Sequence, residues 1–127
     1  MKNLLAIIVL VMFALSANAQ KAEVLYFKAN LPCCQATACN NVESAVKSII
    51  DANFGNKVEF KQIKLADASN SVLIQKYNAK SQTVIVLVKK RKEKFIDISD
   101  IVRNYTRDND KEKLEKELVA KINKMLK

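Results

Sequence analysis

The chain contains no histidine, no tryptophan, one glycine and one proline among its 127 residues. Without histidine it lacks the usual general base near neutral pH and the commonest nitrogen ligand for metals. A single glycine excludes a phosphate-cradling loop, which needs several. Aromatic residues make up 6% of the chain and are not interleaved with its basic residues, so no stacking platform for nucleic acid is expected. Asp67, Asp97, Asp100, Asp108 and Asp110 are scattered over expected turns and caps, where carboxylates serve local structure. No acid–base pair and no cofactor follow from them. There is no internal repeat and no linker-like stretch.

What is present begins with Met1-Lys2-Asn3, an apolar run from Leu4 to Leu15, and then Ser16-Ala17-Asn18-Ala19-Gln20. A positive start, an apolar segment shorter than the roughly 20 residues of a membrane span and a small-x-small site make up a secretory signal peptide. Residues 1–19 are therefore expected to be cleaved after Ala19, leaving residues 20–127 as one domain with one core. The product would be exported, periplasmic or extracellular, with no membrane span. Cleavage removes Lys2, so 21 basic residues then face 13 acidic ones. A lysine-rich surface of this kind keeps a small exported protein soluble, with a docking face for an acidic partner or an anionic membrane as the sharper alternative.

Along the remaining chain, Val24-Leu25-Tyr26-Phe27 is an apolar run without alternation, as in a strand covered on both faces. Pro32 closes it. Cys39, Val42, Val46, Ile49 and Ile50 recur at spacings of three and four, the stripe of a helix, with Thr37 as the expected N-cap and Gly55 near its stop. Val58, Phe60 and Ile63 read as a second strand. Asp67 or Ser69 would cap a short helix through Val72, Leu73, Ile74 and Tyr77. Thr83 to Val88 reads as an interior strand, and Lys94 to Ile98 as its hairpin partner at the sheet edge, across a turn of basic residues. Asp100 to Tyr105 suggests one or two helical turns. Asn109 with Glu112 would cap a last helix striped by Leu114, Leu118 and Ile122. The order strand, helix, strand, helix, strand, strand, helix predicts a small three-layer α/β domain with a mixed sheet.

All three cysteines, Cys33, Cys34 and Cys39, fall within seven residues at the first strand–helix junction. With that element order, the chain resembles the thioredoxin-like superfamily, whose redox cysteines lie at this junction. The resemblance implies a central mixed sheet flanked by helices. More narrowly, Val24 to Phe27, Thr37, Cys39, Val42-Glu43 and Tyr77 are similar to the small thioredoxin-like proteins of arsenic-resistance operons, often labelled nitrophenyl nitroreductase subunits. Two positions depart from the thioredoxin pattern. Ala36 stands where the first cysteine of the usual pair is implied, and Gln82, before Thr83, stands where thioredoxins carry a cis-proline beside the thiols.

Export places the three thiols in an oxidising compartment, and an odd number cannot all pair within one chain. Cys33 with Cys34 is geometrically poor, because adjacent α-carbons sit about 3.8 Å apart and disulfides span at least about 4.4 Å. Cys34 with Cys39 does not close across a regular helix, but closes if the helix begins near Thr37. Three uses follow. In the first, the chain is a thiol–disulfide oxidoreductase: Cys34 attacks a protein or small-molecule disulfide, Cys39 resolves it, and Cys33 is an alternative attacker. In the second, Cys33, Cys34 and Cys39 bind a thiophilic ion such as Cu(I) or arsenite. In the third, Cys39 is stapled to Cys34 or Cys33 in a non-catalytic, partner-binding domain.

Overall fold

The structure is a computed structural model that describes residues 22–31, 33–89 and 93–127, with 33–36 described by their backbone. The expected signal peptide, Pro32 and residues 90–92 of the basic turn lie outside the described residues. Four strands form one sheet in the order β2-β1-β3-β4: β1 Ala22–Lys28, β2 Val58–Lys64, β3 Val84–Lys89 and β4 Glu93–Asp97. β1 runs parallel to β2, with Tyr26 opposite Gln62, and antiparallel to β3, with Leu25 opposite Ile85. β3 and β4 form the antiparallel hairpin at the edge. The two runs without polar alternation are thus the two inner strands, where both faces are covered.

Helix α1 spans Cys33–Phe54, α2 Ser71–Lys76, α3 Ser99–Asp108 and α4 Lys111–Leu126. Side chains alternate across the sheet, and the two sets pack differently. Val24, Tyr26, Val84, Val86 and Val88 join Val42, Val46, Ile49 and Ile50 of α1 with Val102, Leu114, Leu118 and Ile122 of α3 and α4 in the larger core. Leu25, Phe27, Ile63, Ile85 and Leu87 face the other way, toward Leu73, Ile74 and Tyr77 around α2. The result is three layers, one thick and one thin on either side of a mixed sheet.

Several local expectations are corrected. α1 begins at Cys33 rather than at a cap on Thr37, so all three cysteines lie on the helix. Its end is as read: after Phe54 the chain tightens into a 3₁₀ turn, Gly55–Lys57, with Gly55 at φ +54°. Asp67 caps a 3₁₀ turn, Ala68–Asn70, by accepting from the Ser69 amide, and α2 follows at Ser71. Asn109 does not open the last helix. It ends α3 in the left-handed region, φ +52°, where asparagine is tolerated, and Asp110 caps α4 by accepting from the Lys113 amide at 3.0 Å.

Candidate functional site

The parallel pairing of β1 with β2 puts the C-terminal end of β1 beneath the first turns of α1. There the i, i+4 pair Cys39 and Glu43 faces the sheet, because both lie beside the buried stripe of Val42, Val46 and Ile49. Cys39 is 8% exposed and is a free thiol. The amide nitrogen of Gln82, Nε2, donates to Cys39 Sγ at 3.3 Å. Gln82 precedes β3 in the left-handed region at φ +62°, held by its backbone N–H donating to the Phe27 carbonyl at 2.9 Å. The Phe27 N–H donates in turn to the Thr83 carbonyl, also at 2.9 Å.

Around this contact lies a polar cluster at the solvent edge of the larger core. Tyr26 is fully buried, its ring 6.0 Å from that of Phe60, and its hydroxyl has no hydrogen-bond partner among the described residues. Burial pushes that hydroxyl well above the usual phenol range, Cys39 and Glu43 push it the same way, and the Gln82 side chain opposes them. Lys28 Nζ reaches Glu43 at 3.0 Å and donates to Asn40 Oδ1, while Gln62 Nε2 donates to Glu43 at 2.6 Å. The Glu43 carboxylate is therefore matched by a lysine and an amide.

The structure brings Cys39 together with Gln82, and the side chains of Cys33 and Cys34 lie outside the described residues. In a regular helix, positions 34 and 39 are separated by about 140° around the axis and about 8.7 Å between α-carbons, and positions 33 and 39 by about 10 Å. Disulfides span about 4.4 to 6.8 Å. Cys39 is a free thiol here, and a staple from it to Cys34 or Cys33 would require the first turns of α1 to open. Three thiolates on one ion would likewise require the first turns of α1 to open. Among the described residues, no cluster of three metal-ligating side chains occurs. Among them, too, no helix is long and apolar enough to cross a membrane.

Tyr26 and Glu43 are members of the site that the sequence marks only as strand and helix residues. The signal for each was present. Period two along β1 puts Tyr26 on the same face as Val24, and spacing four along α1 puts Glu43 beside Cys39.

No protein-family model matches the chain, and no curated protein matches it. Among solved structures, it is similar to a malarial protein at 20% identity and a TM-score of 0.43, over 69% of this chain and 97% of that one. It is also similar to a thioredoxin from Thermus thermophilus at 14% identity and a TM-score of 0.42, over 61% of this chain and 58% of that one.

Proposed function

We propose that this chain is an exported thioredoxin-like protein that exchanges disulfides through Cys34 and Cys39, with Cys33 able to take the place of Cys34. The observation that carries this reading is the contact between Gln82 and Cys39. It sets the residue just before β3 against a buried helical sulfur at the end of β1. That is the juxtaposition the thioredoxin-like resemblance implies for this sheet order.

In the proposed cycle, the Cys34 thiolate attacks one sulfur of a substrate disulfide. The S–S bond breaks, one substrate thiolate leaves and takes up a proton, and a mixed disulfide remains on Cys34. The Cys39 thiolate then attacks the Cys34 sulfur and expels the second substrate thiol. The substrate gains two electrons and two protons, and the cysteine pair is left oxidised. A dithiol reductant in the same compartment restores it. Because positions 34 and 39 are too far apart on a regular helix, the second step requires the first turn and a half of α1 to unwind.

The test uses the exported chain and a model protein disulfide. Cys33→Ser with Cys34→Ser together is expected to reduce turnover to background, and Cys39→Ser to accumulate a mixed disulfide seen as added mass on Cys34 or Cys33. Thiol labelling before and after reduction, read by mass spectrometry, reports the bonded pair and the cleavage after Ala19. Turnover unchanged in both variants would remove the reading.

A further inference from the structure

We infer that the outer edge of β2 pairs with the same edge of a second copy of this chain, antiparallel about a two-fold axis through Phe60, so that two four-stranded sheets become one. β2 ends the sheet, with β1 on its inner side and, among the described residues, no strand on its outer side. Such an edge presents a row of backbone donors and acceptors, and natural edges are blunted by charges that repel another strand. In Val58-Glu59-Phe60-Lys61-Gln62-Ile63-Lys64 the charges nearest the middle are of opposite sign, Glu59 and Lys61. They attract a second copy in one register and repel it in the neighbouring ones.

A two-fold axis that makes two edges antiparallel stands normal to the sheet. It therefore passes through one residue and keeps opposed residues on the same face. Centred on Glu59 or on Lys61, the pairing sets that charge against itself. Centred on Gln62, it sets Phe60 against Lys64 and Lys61 against Ile63. Centred on Phe60, it sets Glu59 against Lys61 twice, Phe60 against Phe60, and Val58 against Gln62. Opposite charges and aromatic pairs are stabilising combinations across strands. Glu59 and Lys61 lie 3.5 Å apart within one strand, their side chains 44% and 38% exposed, and can turn to the second copy. The other edge of the sheet lacks this complementarity. β4 is Glu93-Lys94-Phe95-Ile96-Asp97, and centring it on Phe95 sets Glu93 against Asp97 twice.

The surroundings of Phe60 leave room for a second ring. Phe60 is half-buried, packs on Tyr26 at 6.0 Å, and borders an open cleft of about 330 Å³ that Val58 of β2 and Lys47 and Asp51 of α1 also line. With the axis normal to the sheet, both α1 helices lie on one face and the two clefts meet over the paired Phe60 rings. Lys47 and Asp51 pair with each other at 2.6 Å, so this rim brings no net charge with it. Few residues meet, and each copy is positively charged overall, so the dimer is weak and is disfavoured at low salt.

No cysteine takes part, so the inference stands apart from the exchange reading. Its test is analytical ultracentrifugation of the exported chain, in reductant and at physiological salt, up to millimolar concentration. The parent should pass from monomer to dimer as concentration rises, and amides of β2 should exchange with deuterium more slowly in the dimer. Glu59→Lys and Lys61→Glu each set like charges opposite one another and should each weaken the dimer about tenfold. Glu59→Gln removes attraction without adding repulsion and should fall between, so the series does not depend on the Lys61 variant. Mixed in equal amounts, with circular dichroism showing both folded, the Glu59→Lys and Lys61→Glu chains complement each other and should recover the parent's affinity. A parent that stays monomeric overturns the inference. So does a dimer that Glu59→Lys leaves unchanged, or a mixture no tighter than its components. Amides of β2 protected equally at every dilution would assign the edge to the chain's own N-terminal residues and overturn it too.

Discussion

Oxidising Cys34 to Cys39 should unwind the start of α1, and the helix sets how much that costs. Closing the bond brings α-carbons from about 8.7 Å to less than about 6.8 Å, which a regular helix does not allow. If the helix restarts with Thr37 as its cap, the four hydrogen bonds donated by residues 37–40 are lost, at about 0.5–1.5 kcal/mol each. The new cap returns about 1 kcal/mol. A net cost near 3 kcal/mol makes the pair about 60 mV more oxidising than the same pair in a loop. The helix content should fall as well. Residues 33–37 leave a total of 54 α-helical residues among those described, so far-ultraviolet circular dichroism should weaken by about a tenth on oxidation. The assay is a glutathione redox titration followed by dichroism and peptide mapping in parallel. An oxidised sample with a mapped Cys34–Cys39 bond and undiminished helix signal would refute the argument.

Three further outcomes follow from the described packing. Leu118 is fully buried in the larger core, so Leu118→Ala should cost about 2–5 kcal/mol in a urea unfolding curve, as a cavity replaces it. Asp110→Ala removes the cap of α4 and should cost about 1 kcal/mol, seen as a lower urea midpoint. Burial raises the Glu23 pKa, but the hydrogen bond and charge of Lys61, with Lys89, outweigh it and leave the carboxyl below its usual 4.5. A lowered folded pKa stabilises above the unfolded value and is lost as pH falls through the folded one. Glu23→Gln should therefore lower stability by about 1 kcal/mol or less near neutral pH, with the difference from the parent vanishing well below pH 4.5.

The stripe from Cys39 to Ile50 and the inner strands were legible in the sequence because their periods report burial directly. The start of α1 was not. Thr37 is a reasonable cap by residue type, but a proline at a helix start is also a signal, and Pro32 fits the end of a strand equally well. Asn109 and Asp110 are adjacent cap formers, and only the backbone distinguishes the residue that ends α3 from the one that begins α4. The meeting of Gln82 with Cys39 joins residues 43 apart in sequence, which no local pattern encodes. The resemblance placed Gln82 in the proline position, and the sheet register shows how that position comes to lie under the helix.

The thin layer formed by α2 has a consequence for motion. α2 contains no fully buried residue, whereas α1 and α4 each hold several in the larger core. Amides of residues 71–79 should then exchange with deuterium well before those of 42–50, through openings that leave the rest of the sheet intact. The thiol sits on the slow-exchanging side. Its link to the fast side is the short segment from Asn78 to Gln82, which hangs from α2 and is fastened to β1 at Phe27. Breathing of the softer layer would reach the sulfur through that segment, and the backbone bonds that fasten it at Phe27 damp what is passed on.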